Sequence, residues 1–75
     1  MRYLVIQSEF DGSIQFGRSF TDGRLAVECA NDRLTRANIN GVFVIDDIKF
    51  IDSCGSLAAR NNEGTIKVTI LKEDE

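Results

Sequence analysis

The sequence predicts an α+β fold in which one helix packs on an antiparallel sheet, with the element order β-β-α-β-β-β. Three observations lead to this prediction. Several segments alternate between apolar and polar residues, one segment has the apolar spacing of a helix, and turn-type residues separate them. Of the 75 residues, 43% are hydrophobic and 28% are charged, as is typical of a globular chain. We expect residues 1–75 to form a single domain with a frayed charged tail at residues 72–75.

The first two strands are predicted to form a hairpin. In RYLVIQSEF, Leu4, Ile6 and Phe10 lie on one face, and Tyr3 and Val5 lie on the other. An Asp-Gly pair follows, and this dipeptide favours a tight turn between antiparallel strands. The next segment, SIQFGRSF, is predicted to be the second strand. Its alternation places three apolar side chains on one face: Ile14, Phe16 and Phe20.

A helix is predicted from residue 22 to about residue 38. Thr21 and Asp22 are residue types that cap helix N-termini, and the asparagines and glycine at 38–41 are types that end a helix. Most of the apolar stripe is alanine, which permits a close approach to a sheet but buries little area. The stripe spans about 100° of the helix surface and contains Ala26, Val27, Ala30, Leu34 and Ala37.

The segment at 42–52, VFVIDDIKFID, is the most strand-like part of the sequence, yet Asp46 and Asp47 interrupt it. A straight strand would bury Asp46 among apolar neighbours, which is costly without a partner. A β-bulge lets both carboxylates reach solvent. A hairpin with Asp-Asp as its turn lacks the glycine that such turns prefer. Straight or bulged, this third strand carries large apolar groups on both faces, which is more than one helix can cover.

Two more strands complete the predicted sheet. Turn residues at 53–56 precede a short strand at 57–60, and a second turn at 61–64 precedes the last strand at 65–71. In that last strand, TIKVTIL, the apolar side chains at 66, 68 and 70 share one face. Both segments therefore extend an antiparallel sheet with one face turned towards the helix.

The side chains most used in catalysis and metal binding are scarce. The chain has no histidine, and its two cysteines, Cys29 and Cys54, are too few for a zinc site or a disulfide framework. Cys54 lies next to glycine and serine, but no histidine is available to activate its thiol. We therefore expect no enzymatic activity, no cofactor, no metal and no small-molecule substrate, and we expect both thiols to stay free.

Charge and hydropathy restrict the partners. The net charge of −3 opposes direct binding of a nucleic-acid backbone, and the basic residues are dispersed. A nucleic-acid-binding domain remains an alternative, in which Arg33, Arg36 and Arg60 would make the contacts. No apolar run approaches the ~18 residues of a membrane span, and the polar residues after 6 interrupt any signal-peptide pattern. We therefore expect a cytoplasmic protein without a membrane partner.

The surplus of apolar side chains indicates an interface, because small folded proteins seldom leave large apolar patches exposed. The alternative is closure within the chain, by curvature of the sheet or by Leu25, which points away from the helix stripe. We predict a protein-binding module that uses an exposed sheet face or an edge strand. The alternative is a homodimeric structural protein that pairs the same face by symmetry, with Ile51 in the interface. The candidate contacts are Asp46, Asp47, Lys49, Ile51, Asp52 and Glu63.

Residues 41–70 contain a glycine, the pair Ile45 and Ile48, and the stretches GSLAAR, NNEG and TIKV. In this order they resemble the second half of small phage-encoded proteins that pack a helix on an antiparallel sheet, some of which are anti-CRISPR proteins. The resemblance implies a non-catalytic inhibitor that occludes a site on a bacterial effector complex. It also implies that the acids at 46, 47, 52 and 63 occupy a nucleic-acid-binding surface of that complex.

Overall fold

A computed structural model describes residues 1–73. These residues form four strands and two helices, in the order β1 (Arg2–Glu9), β2 (Ile14–Phe20), α1 (Gly23–Arg36), α2 (Asp47–Cys54), β3 (Ser56–Arg60) and β4 (Ile66–Glu73). The strands lie in the order β2-β1-β4-β3, and every neighbouring pair is antiparallel. The predicted α+β class, with a helix on an antiparallel sheet, is confirmed.

Both helices pack on the same side of the sheet. Helix α1 contacts β1, β2 and β4, whereas α2 contacts β3 and β4. The core between the helices and the sheet is formed by Val5 from β1, Val68 and Ile70 from β4, Leu34 from α1 and Ile51 from α2, all almost completely buried. Because strand side chains alternate between faces, the residues between these core positions point away from the helices.

Helix α1 begins and ends as the sequence predicts. The Asp22 carboxylate accepts a hydrogen bond from the Arg24 backbone N–H at 2.9 Å, which satisfies one of the free donors at the helix start. Asn38 has a positive φ of 59°, a conformation that asparagine tolerates at the end of a helix. Ala26 and Ala30 are fully buried, so the alanine stripe brings α1 close to the sheet.

The third strand predicted at 42–52 is wrong, because this segment is a loop followed by α2. Asp46 and Asp47 form neither a bulge nor a hairpin turn; they start the helix. The Asp47 carboxylate accepts a hydrogen bond from the Val44 N–H at 2.8 Å, and the helix dipole favours an acid in the first turn. The two acids that interrupt the apolar run therefore define where α2 begins.

Two further contacts exclude this segment from the sheet. The Asn31 side chain donates to the Phe43 carbonyl at 2.9 Å and accepts from the Phe43 N–H at 2.7 Å, so it occupies the backbone groups that a strand partner would need. Ile48 and Ile51 are three residues apart and both pack towards the core, which is the spacing of a helix. Gly55 then ends α2 in a left-handed conformation with a φ of 98°.

A β-bulge in β2 changes the predicted face of one residue. Gln7 pairs with Phe16, but its neighbour Ser8 pairs with Ile14, so Gln15 is an extra residue without a partner in β1. Phe16 remains on the face that packs against the helices. The prediction that Ile14 shares this face is wrong, because the bulge turns Ile14 to the opposite side.

Strand β4 continues into the predicted tail. Lys72 pairs with Tyr3 and its N–H donates to the Gly55 carbonyl at 2.8 Å, and Glu73 pairs with Arg2. The prediction of a frayed end is therefore wrong for residues 72–73, and its last two positions, 74–75, lie outside the described residues. Within residues 1–73, neither helix is long and apolar enough to cross a bilayer.

Candidate functional site

The sheet face opposite the helices is uncovered in the described part of the chain. The strand register fixes which side chains are neighbours on this surface, which we call the open face. In two of its three rows the outer strands carry small residues around an apolar centre, whereas Ile14 and Arg60 flank the third row. Three cross-strand rows form it: Ser19, Leu4, Leu71 and Ser56; Gly17, Ile6, Thr69 and Ala58; and Ile14, Ser8, Lys67 and Arg60.

Several large apolar side chains on and beside the open face are in contact with solvent. Ile14 is 66% exposed and Leu71 is 36% exposed, while Leu4 and Ile6 are partly buried. Phe10, just beyond the end of β1, is 81% exposed. In an antiparallel sheet with one packed face, the second face usually carries polar residues. The apolar centre makes this face the candidate functional site of the described residues.

A shallow groove of about 540 Å³ lies at one end of the open face, and we call it the basic groove. Arg60 of β3 and Lys67 of β4 are direct cross-strand partners in it. Within residues 1–73, neither cation makes a hydrogen bond or an ion pair. The side chains that matter for its chemistry are Ile6, Ser8, Phe10, Ile14, Arg60 and Lys67.

The predicted contact residues at the start of α2 lie on the helix side of the molecule. Asp46 and Lys49 line another shallow pocket, next to Ile45 and the first turn of α1. Asp47 does not line it; its carboxylate accepts the hydrogen bond from the Val44 N–H. The prediction that these side chains lie on an exposed sheet face is therefore wrong. Asp46 and Lys49 remain exposed, and they are close enough to line one pocket.

The other predicted contacts are dispersed. Ile51 is fully buried, so it has no surface to offer a partner, and its prediction as an interface residue is wrong. The Asp52 carboxylate accepts a hydrogen bond from the Tyr3 hydroxyl at 2.7 Å, which ties α2 to β1. Burial, and then the hydrogen bond and charge of Asp52, raise the pKa of Tyr3 to about 12. Glu63 lies in the turn between β3 and β4, next to the end of α1.

The three arginines of the nucleic-acid alternative do not form one surface. The Arg33 Nε donates to the Gln7 side-chain oxygen at 2.9 Å, and Arg36 pairs with Asp32 at 2.8 Å, both on the helix side. Arg60 lies on the open face, on the opposite side of the sheet. The sequence pattern did not predict that Arg60 pairs with a second cation, Lys67, on the neighbouring strand. The turn predicted at 61–64 would place Thr65 opposite Arg60, so the sequence pattern carries no signal for the observed pair.

A second set of exposed apolar side chains lies before and within α2. Val42, Val44, Ile45 and Phe50 are each at least half exposed, while Phe43 between them is buried. The sequence predicts more apolar groups in this segment than a helix can cover, and these exposed side chains agree with that expectation. They belong to a loop and a short helix, so no strand register fixes them as one flat surface.

Two thiols and the possible metal ligands complete the chemistry of the described residues. Cys29 and Cys54 are free, and burial raises the pKa of the Cys29 thiol. Within residues 1–73, no three metal-ligating side chains come together. Comparisons with protein-family models, with curated proteins and with solved structures find no match for this chain. The open face is therefore the candidate functional site of this fold.

Proposed function

We propose that this protein is a non-catalytic protein-binding module that docks through its open face and acts by covering a site on its partner. One observation carries the proposal: both helices pack on one side of the sheet, while the other side presents an apolar centre to solvent. An exposed apolar area lowers solubility unless a partner covers it. A sheet also presents its side chains on a rigid backbone, which reduces the entropy lost on binding.

The class of partner belongs to the same proposal. The resemblance to small phage-encoded proteins points to an inhibitor of a bacterial nucleoprotein effector complex, and that complex is one partner to test. Part of the resemblance depends on a strand containing Ile45 and Ile48, where the fold has a loop and a helix. The proposal therefore rests on the open face. We place its action in the cytoplasm, since free thiols such as Cys29 and Cys54 suit a reducing compartment.

Self-association is the second candidate, because an apolar sheet face flanked by small residues also suits packing against a copy of itself. Two such faces would stack about 10 Å apart, as the sheets of a β-sandwich do. Light scattering after size exclusion, over a hundredfold range of concentration, separates the candidates. A dimer that Ile6→Asp dissociates supports self-association, whereas a monomer at every concentration leaves the open face to a foreign partner.

Site-specific photo-crosslinking tests the main proposal. A photoreactive amino acid is placed at Ile14 or Leu71 on the open face, and at Leu25 on α1 or Ile45 in the loop as matched exposed controls. In a bacterial lysate, we expect both open-face positions to capture the same protein and the controls to capture none of it. Ile6→Asp should abolish the capture. If only Leu25 or Ile45 captures that protein, or if no position captures any protein, docking through the open face is contradicted.

A further inference from the structure

The pairing of Arg60 with Lys67 is unfavourable in the isolated chain. Like charges at directly opposite positions of neighbouring strands repel each other, because their Cβ atoms lie only about 4.5–5.5 Å apart. Glu9 is the acid that lines the groove, and it accepts a hydrogen bond from the Gln15 side chain. The chain has twelve acids and a net charge of −3, yet within residues 1–73 none pairs with these two cations. The repulsion is relieved if a ligand supplies the negative charge.

The opposite wall of the basic groove is apolar. Phe10 is 81% exposed, but its backbone N–H donates to the Thr65 carbonyl at 2.9 Å, so the base of the side chain is fixed. Ile14 is 66% exposed beside it, and Ile6 lines the same groove. Aromatic side chains, phenylalanine among them, are enriched at the centres of protein interfaces. The groove volume of about 540 Å³ suits a few side chains of a bound segment.

From this combination we infer that the basic groove receives an acidic segment of the partner, in which a carboxylate lies next to an apolar side chain. The inference rests on the proposed function and specifies the chemistry of the partner. Arg60 offers paired N–H donors that match a carboxylate, and Lys67 adds a second positive charge. The apolar neighbour of the carboxylate packs on Phe10 and Ile14.

A nucleic acid fits the same groove less well. Its backbone needs several cations along a track, whereas the groove supplies two in a chain whose net charge is −3. A protein segment places one or two carboxylates at defined positions and leaves the rest of the contact to apolar side chains. The two cations and the exposed ring of Phe10 therefore favour an acidic protein segment as the occupant of the groove.

The test is an NMR titration of the full chain with three defined probes: a short peptide of alternating aspartate and leucine, the same peptide with asparagine for aspartate, and an oligothymidine single strand. We expect the aspartate peptide to shift the amide signals of Ile6, Arg60 and Lys67, and to bind at least tenfold more tightly than the asparagine peptide. Raising the salt concentration should weaken this binding.

Charge-neutralising variants complete the test. The double variant Arg60→Gln/Lys67→Gln should lose at least tenfold in affinity for the aspartate peptide. Arg24→Gln/Lys49→Gln removes the same charge from the other side of the molecule and should bind as the unmodified chain does. Both pairs are at the surface, so circular dichroism should report folded proteins.

The outcomes separate the inference from the proposed function. Three results would overturn the inference that the basic groove receives an acidic segment. They are equal binding of the two peptides, unchanged affinity of the Arg60→Gln/Lys67→Gln variant, and tighter binding of oligothymidine. If crosslinking from Leu71 persists in that variant, the open face remains a docking surface and only the inference fails. If the open face captures nothing in the unmodified chain, the proposed function itself is wrong.

Discussion

Tyr3 contributes to stability through a single buried hydroxyl. Its partly buried hydrogen bond to the Asp52 carboxylate, 2.7 Å long, links β1 to α2. Tyr3→Phe leaves this carboxylate without its O–H donor, and we expect a loss of about 1 kcal/mol in the free energy of unfolding at neutral pH. Urea unfolding of both proteins measures the difference. Equal stabilities would mean that solvent replaces the hydrogen bond without cost.

The same residue predicts how stability depends on alkaline pH. The pKa of Tyr3 rises from 10.0 in the unfolded chain to about 12 in the folded one, so the folded state holds its proton more tightly. The contribution is therefore complete below pH 10 and is lost as pH rises from 10 to 12. Tyr3→Phe should lack this loss. The chain has one tyrosine and no tryptophan, so tyrosinate absorbance reports Tyr3 alone, and ionisation near pH 10 in the folded protein contradicts the prediction.

Asn31 is the second residue whose side chain holds two elements together. It makes two hydrogen bonds to the backbone of Phe43, whose side chain is buried in the core. Asn31→Ala removes both, at about 1–3 kcal/mol for groups left unpaired, while alanine regains roughly half a kcal/mol as a helix former. We expect a net loss of about 1–2 kcal/mol by thermal unfolding. Asn40→Ala, exposed in the loop after α1, is the control and should change little.

At the scale of elements, the sequence predicts a strand or helix correctly where its apolar spacing and its turn or capping residues favour the same structure. Strand β4 alternates between apolar and polar residues, β1 is a run of apolar residues at 3–6 before a turn signal, and α1 has both a capping aspartate and an apolar stripe. The α2 segment misleads because its valines, isoleucines and phenylalanines favour a strand, while the deciding contacts come from elsewhere. The Asn31 side chain occupies the Phe43 backbone, and the Asp47 carboxylate caps the turn at Val44. The alternation of residues in the α2 segment carries no information about the contact with Asn31, which lies on another helix.

The cross-strand pair of β3 and β4 gives a prediction at the same scale. If Arg60 and Lys67 repel each other in the free protein, removing one charge should stabilise the sheet. We expect Arg60→Gln to raise the free energy of unfolding by roughly 0.2–1 kcal/mol at low salt, and the gain to shrink as salt screens the charges. Arg24→Gln, on the first turn of α1, is the matched control. A loss of stability in Arg60→Gln at low salt would indicate that the arginine has a stabilising contact.

For the whole molecule, the sequence predicts an uncovered apolar surface but not its position. The predicted contacts cluster around Asp46 and Asp47, because the sequence pattern places these acids in a strand. The open face emerges only from the register of four strands, which depends on the bulge at Gln15 and on the pairing of Arg60 with Lys67. Register is a property of the assembled sheet, so single-segment patterns leave it undetermined.

The two faces of the sheet predict opposite outcomes for one type of substitution. Ile51→Asp buries an unpaired charge in the core, and its cost of more than about 4 kcal/mol approaches the entire stability of so small a domain. We expect this variant to be unfolded. Leu71→Asp places the same charge on the open face, where it should cost about 1 kcal/mol and leave the chain folded.

Circular dichroism separates the two variants, and the crosslinking and solution-mass measurements then apply to Leu71→Asp alone. A folded Leu71→Asp chain that no longer binds its partner, or no longer dimerises, assigns the loss to the open face, because the core and both helices are unchanged. A folded Ile51→Asp chain would contradict the position of α2 against the sheet. An unfolded Leu71→Asp chain would mean that the open face contributes to stability as a second core surface, and its exposed apolar centre would then need no partner to explain it.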